Sequence, residues 1–242
     1  MAIPFPLTRS RLQALIDCRR RFWLQSIRRL PWPAAARPPG AEQALARGRE
    51  FHRLMERHSL GLAIEPVDPD LQPWWAAWQS HPLPLPPGRA RPEITLTAPE
   101  AGERLLVRYD LLVVPDDPAE TVLIVDWKTT ARPRARVALQ ADIQTRLYPY
   151  VLVAGGSAVA GRELAPEQVE LVYWQAAAPA EPVHLRYSPA DHQSNRIEIR
   201  TLIDRAHALQ PETTPPGSDD LGVCARCPYR TYCRRPLPAA PR

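Results

Sequence analysis

The chain has 242 residues with 45% hydrophobic content, enough to bury the core of one medium domain without requiring a second. No apolar stretch approaches the roughly 18 residues of a membrane helix, and the N-terminus lacks the pattern of an export signal, so a cytoplasmic protein is expected. The formal charge is +5, and of 31 basic residues a single one, Lys128, is lysine.

In chain order, residues 8–29 read as a helix, capped by Thr8 or Ser10, with Leu12, Leu15, Ile16, Phe22, Trp23 and Ile27 at helical spacing. Its other face is basic. After the proline-rich RRLPWPAAARPPG, residues 41–61 give a second helix that carries His52 and stops at Gly61. The period then changes, and PEITLTA, RLLVRYDLLVV and TVLIVDWK read as three strands separated by turn-like segments. Residues 136–154 form a helix that Pro149 should bend or end. QVELVYWQ and EPVHLRYS add two strands, and SPADHQSNRIEIRTLIDRAHAL a capped closing helix. This order predicts an α/β or α+β arrangement, a mixed sheet with helices on both faces.

The arginines gather at the two ends. Arg9, Arg11, Arg19, Arg20, Arg21, Arg28 and Arg29 stand against Asp17 alone, and Arg226, Arg230, Arg234 and Arg235 lie near the C-terminus. Two readings are open. One is a phosphate-binding surface, which arginine suits through bidentate contacts and counterion release; the other is a solvated surface in a protein that prefers arginine to lysine.

TVLIVDWKTT, residues 121–130, is an apolar run that ends on Asp126, Trp127 and Lys128. Asp110 precedes Asp126 across a hairpin-like connection, so antiparallel neighbours would hold both carboxylates at one end of the sheet. Two such carboxylates repel and lose hydration, a cost that a divalent cation removes. Lys128 shares a face with Asp126 by the strand period of two, and could orient or deprotonate a water there. The plain alternative is an exposed ion pair at a strand end. Against it stands composition, since a sole lysine falls at this position by chance about once in thirty placements.

The four cysteines are Cys18, Cys224, Cys227 and Cys233, the last three spaced C-x2-C-x5-C. In a cytoplasmic protein this spacing suggests a metal in preference to disulfides, either zinc or an iron–sulfur cluster. A ligand from each end of the chain would staple those ends and unite both arginine clusters.

The run Glu93, Asp110, Asp126-Trp127-Lys128 resembles the PD-(D/E)xK nuclease superfamily, and specifically its RecB-like branch. Val107-Arg108-Tyr109-Asp110, Asp126-Trp127-Lys128-Thr129 and Gln144-Thr145-Arg146-Leu147-Tyr148 are similar to that branch's G-R-x-D, D-aromatic-K-T and Q-x-x-x-Y, although the glycine before Arg108 is missing. The layout of one cysteine before the core and three after it resembles the iron–sulfur members, including AddB-type nuclease domains and CRISPR-associated RecB-like exonucleases. There C-R-R-R-F-W-L, with Arg19 in the place of a proline, matches their C-P-R-R-F-x-L helix.

The resemblance implies a restriction-endonuclease-like core in a single domain, divided as an N-terminal helix and loop at 1–40, the nuclease core at 41–210 and the cysteine segment at 211–242. It implies that His52, Asp110, Asp126 and the Trp127 carbonyl bind Mg²⁺ or Mn²⁺, that Lys128 positions water, and that Gln144 and Tyr148 flank the site. Glu93 either supports the metal or merely begins a strand. Cys18, Cys224, Cys227 and Cys233 would hold a [4Fe–4S] cluster, with zinc as the alternative, and Arg19, Arg20 and Arg21 would touch nucleic acid. The expected activity is a DNA exonuclease acting on single strands or ends, in repair, recombination or CRISPR spacer acquisition alongside the proteins of those systems. Trp32, Trp74, Trp75 and Trp78 offer either base stacking or core packing. The competing reading is a DNA-binding subunit of a larger repair complex whose site is vestigial.

Overall fold

The computed structural model describes residues 3–32, 40–64 and 67–236; most of the first proline-rich loop and the last six residues lie outside them. Among the described residues eight strands form two sheets. The smaller has the order β1 (Leu7–Thr8), β4 (Glu103–Arg108), β3 (Thr95–Glu100), and the larger β2 (Gly88–Pro92), β5 (Leu111–Pro115), β6 (Val122–Lys128), β7 (Val169–Gln175), β8 (Val183–Arg186). In the larger sheet β6 and β7 run parallel and the remaining pairs antiparallel. The result is the expected mixed α/β architecture.

Period-two alternation divides the larger sheet between two cores. Leu112, Val114, Val122, Ile124, Leu171 and Tyr173 face one way, onto helices α1 (Arg9–Asp17), α6 (Ile143–Gly155) and α8 (Pro189–His207). Leu111, Val113, Val125, Trp127, Val172 and Trp174 face the other, onto α3 (Ala41–Ser59) and α4 (Gln72–Ser80). Coverage on both faces is why β5, β6 and β7 read as continuous apolar runs. α6 also packs closely on the smaller sheet, where a side chain at Gly155 would collide with the Thr97 carbonyl.

The structure corrects several boundaries. RLLVRYDLLVV is two strands rather than one, because the chain leaves the smaller sheet at Tyr109 and enters the larger at Leu111. The predicted helix over 8–29 breaks at Cys18, which is extended at φ −165° and whose Sγ accepts the Arg21 N–H to start α2 (Arg19–Phe22); a π-helical turn, Trp23–Ile27, follows. The helix predicted over 136–154 is split into α5 (Arg136–Gln140) and α6 by Asp142, an N-cap that accepts from Gln144 N–H. Pro149 sits inside α6 without ending it, and Tyr109 Oη donates to the neighbouring Tyr148 carbonyl at 2.9 Å. Within the proline-rich stretch, QPWWAAWQS forms α4, with Pro73 tolerated in its first turn. Further short elements are β1, β2, α7 (Ser157–Ala160) and α9 (Leu221–Ala225).

The chain ends do meet. Arg20 Nε donates to the Pro215 carbonyl at 2.9 Å, Trp23 Nε1 to that of Gln210 at 2.8 Å, and Tyr229 Oη to that of Leu30 at 3.0 Å.

Candidate active site

β5 and β6 pair antiparallel with Leu111 opposite Val125, so one step further along brings Asp110 to the level of Asp126. Asp110 lies at the corner between the sheets, and its Oδ2 accepts the Trp127 N–H at 2.9 Å, tying the corner to the end of β6. Asp126 and Lys128 share the face of β6 that looks onto α6, whereas Trp127 points the opposite way into a cluster with Trp78 and Trp174. The aromatic cluster thereby clamps the strand at the residue between the two charged ones.

Lys128 Nζ stands 2.6 Å from Asp126 Oδ2 and donates to Gln144 Oε1 at 3.1 Å. The other end of the same amide closes the triangle, Gln144 Nε2 donating to Asp126 Oδ1. Asp126 Oδ2 has Lys128 Nζ as its charged neighbour at 2.6 Å. Burial pushes the Asp126 carboxyl above its ordinary range, with the Asp110 charge adding to the effect and Lys128 opposing it. The lysine also lies over the Tyr173 ring, 5.1 Å from its centroid.

From the opposite side of the sheet, α3 brings His52 to Asp110, with Nδ1 3.2 Å from Oδ1. Gly48, one turn earlier, permits the approach: a Cβ there would stand 3.0 Å from Thr129 Oγ1. Burial disfavours the His52 imidazolium, but the hydrogen bond and charge of Asp110, helped by Asp126 and Glu93, outweigh this and raise its pKa. Tyr148 is partly buried near Asp126 and Asp110, and both effects keep its phenol protonated far above neutral pH.

Glu93 stands beside His52 and Asp110. Its backbone N–H donates to the Asp110 carbonyl at 3.0 Å, its carboxylate meets Arg108 Nε at 3.0 Å, and it adopts a left-handed φ of 51°. A non-glycine residue there carries about 1 kcal/mol or more of strain, a cost met where surrounding structure imposes it and frequent at working sites. Among the described residues, His52, Glu93 and Asp110 are the one set of three or more His, Cys, Asp or Glu side chains whose ligand atoms lie within 4.8 Å of one another. Asp126 lies beside this set, engaged with Lys128 and Gln144. An imidazole nitrogen with two carboxylates is a donor set suited to a divalent metal ion. The set opens into a cleft of about 530 Å³ lined also by Arg49, Arg53, Glu56 and Arg108.

Sequence reasoning missed the acid that anchors Gln144. Asp142 accepts the Gln144 N–H at 3.0 Å and pairs with Arg9 and Arg134 at 3.2 and 2.9 Å. An aspartate immediately before a helical segment is an N-cap signal that was available.

The four cysteines line one small pocket and form no disulfide. No three of their sulfurs lie within 4.8 Å of one another, so the expected four-cysteine metal cluster is not shown by this arrangement. Thiolates around zinc stand about 3.8 Å apart, from a Zn–S distance of about 2.3 Å in tetrahedral geometry. Here the sulfurs are engaged locally: Cys18 Sγ accepts from Arg21 N and Ser218 N at 3.4 and 3.3 Å, and Cys224 Sγ lies 3.9 Å from the Ser218 carbonyl. Burial raises the pKa of both Cys224 and Cys227, favouring the neutral thiol.

The tryptophans divide. Trp78 is buried in the core, Trp74 and Trp75 are partly buried against it, and Trp32 is exposed, edge-on to Tyr232 with centroids 5.1 Å apart. Of the basic trio, Arg19 is exposed, Arg20 is committed to Pro215, and Arg21 pairs with Asp17 at 3.0 Å.

A mixed sheet that carries paired acids, a histidine and a lysine at one strand end has the residue types of a metal-dependent nuclease. Residues 6–234 match the family model of the PD-(D/E)XK nuclease superfamily, and the chain belongs to that superfamily. Among solved structures it is similar to a candidate exonuclease from Eubacterium rectale, with 8% identity, a TM-score of 0.53, and coverage of 98% of this chain and 91% of that one. A second structure, SSO0001, aligns at 15% identity with a TM-score of 0.45, covering 96% and 87%. No curated protein matches. Among the described residues no helix is long and apolar enough to cross a membrane.

Proposed function

We propose that this protein is a cytoplasmic metal-dependent exonuclease that hydrolyses DNA phosphodiesters, acting on single strands or free ends in repair, recombination or CRISPR spacer acquisition. The observation that carries the reading is the convergence of His52, Glu93, Asp110, Asp126 and Lys128 at the end of β6, within a superfamily of nucleases. His52, Glu93 and Asp110 would hold Mg²⁺ or Mn²⁺, with Asp126 and the Trp127 carbonyl next in line. Such an ion polarises a phosphoryl oxygen and acidifies water. Lys128 has a hydrogen-bond donor poised beside the acids, and Gln144 holds it there, so a water approaching the phosphate would be oriented by Nζ. Tyr148, a phenol that stays protonated, can donate to a phosphate oxygen but cannot serve as a base.

The test offers end-labelled linear single- and double-stranded DNA and circular single-stranded DNA with Mn²⁺ or Mg²⁺. The expected result is loss of the linear substrates and survival of the circles. Binding without any cleavage would favour the DNA-binding subunit with a vestigial site.

The cysteine segment extends the proposal. Four free thiols around one pocket, joining the N-terminal helix to the C-terminal segment, support a [4Fe–4S] cluster that staples the ends, with zinc as the alternative. Zinc would require the sulfurs to be drawn closer, out of their present hydrogen bonds. A brown protein with visible absorption supports the cluster, stoichiometric zinc the alternative, and a metal-free stable protein neither.

A further inference from the structure

A second charged feature adjoins the site without belonging to it. Arg9 opens α1, and Arg134 lies in the loop that follows β6; both reach the carboxylate of Asp142. Asp142 is nearly buried, its side chain 6% exposed, whereas Arg9 and Arg134 keep 43% and 33% of theirs in solvent. Among the described residues no other carboxylate meets either guanidinium. Two full positive charges therefore share one negative charge, and the surplus faces outward.

The pair is built rather than loose. Gln175, at the end of β7, clamps the backbone of Arg134 from both sides, accepting its N–H at 2.7 Å and donating to its carbonyl at 3.2 Å. Arg134 Nη2 is fixed further by the Ala138 carbonyl at 2.9 Å. Arg9 Nε is buried and has no acceptor among the described residues, so the exposed part of the guanidinium is what faces solvent. The position is adjacent to the reacting groups. Asp142 caps the helix turn that carries Gln144, which bonds both Asp126 and Lys128, and Tyr173 lies between Lys128 and the Thr145 hydroxyl, 2.7 Å from the latter.

We propose that Arg9 and Arg134, tethered by Asp142, form a phosphate clamp that grips the substrate backbone next to the phosphate being cut. The proposal rests on the nuclease reading above and assigns it a positioning site. Guanidinium forks match phosphate oxygens bidentately, and a shared buried carboxylate pre-orients both forks, so little ordering remains to be done on binding.

The test measures affinity for a labelled single-stranded DNA across a salt series in EDTA, together with kcat and KM in Mn²⁺, for the parent, Arg9→Gln, Arg134→Gln and the double variant. Each lost phosphate contact should lower the slope of log K against log salt by about 0.7, weaken binding about tenfold at low salt, and raise KM while kcat holds. A lowered Tm with the parent's salt slope would make the pair a structural tie and overturn the proposal. If a glutamine variant does not fold, the corresponding lysine variant should keep the slope and raise KM through the lost fork; a parental KM overturns the clamp. A parent that cuts DNA while the variants keep its slope and KM removes the clamp alone. A parent that neither binds nor cuts DNA removes the nuclease reading, and the clamp with it.

Discussion

Replacing Lys128 separates its charge from its shape. The ammonium sits 2.6 Å from Asp126 Oδ2, where two unit charges attract by about 6 kcal/mol at an effective dielectric of about 20. Most of that attraction offsets the desolvation of the pair. Removing one member of a buried pair still costs about 3–5 kcal/mol, because the remaining charge is stranded. In Lys128→Met the stranded group is Asp126, whose carboxyl burial already pushes upward. The sign follows from that direction: a carboxyl with a raised folded pKa regains stability as pH falls, so the deficit of Lys128→Met against the parent should shrink from pH 8 towards pH 5. In Lys128→Arg the charge remains, but the wider fork must displace Gln144 from its 3.1 Å contact, and a guanidinium does not give up its proton. Stability near the parent's, with at least about a hundredfold loss of rate, is expected for Lys128→Arg. Thermal unfolding across pH and timed degradation of labelled DNA measure the two effects. Full activity in Lys128→Arg would refute the reasoning.

Adding Mn²⁺ should raise the Tm of the parent, by about 2.7 kcal/mol of stabilisation at a hundredfold excess over Kd, and leave Asp110→Asn nearly unmoved in a thermal-shift titration. Trp78→Ala removes the ring packed against Trp127 and Trp174, and should cost about 3–5 kcal/mol in urea unfolding. Buried Glu100 accepts from Tyr150 Oη and pairs with Arg196 and Arg200; although burial favours its protonation, these partners hold its pKa below the usual range. Its contribution is complete above the ordinary glutamate pKa and is lost as pH falls through the lower folded value, so Glu100→Gln should be destabilised by about 1–3 kcal/mol at pH 7 and little near pH 3.

The strand ending in Asp126 and Lys128 was legible because a buried β6 makes every polar residue on it conspicuous. Its period also foretold which face each side chain takes. The corner at Asp110 was not, since Leu105, Val107, Leu111 and Val113 alternate smoothly across two strands that lie in different sheets. α4 was hidden by the prolines on either side of its tryptophans, although a proline in the first turn is compatible with a helix. The part played by Glu93 depends on a left-handed backbone and a long-range hydrogen bond to Asp110, neither of which leaves a local pattern. Cysteine spacing predicted proximity, and the pocket holding all four thiols agrees; the sulfur geometry depends on local hydrogen bonds that spacing does not report.

The most direct measurement compares the rate at which the parent and Asp126→Ala degrade linear single-stranded DNA in Mn²⁺, with folding of both confirmed by circular dichroism. The account predicts rapid metal-dependent digestion by the parent, abolished by EDTA, and a rate at least about a thousandfold lower in Asp126→Ala. Equal rates in the two proteins would contradict it.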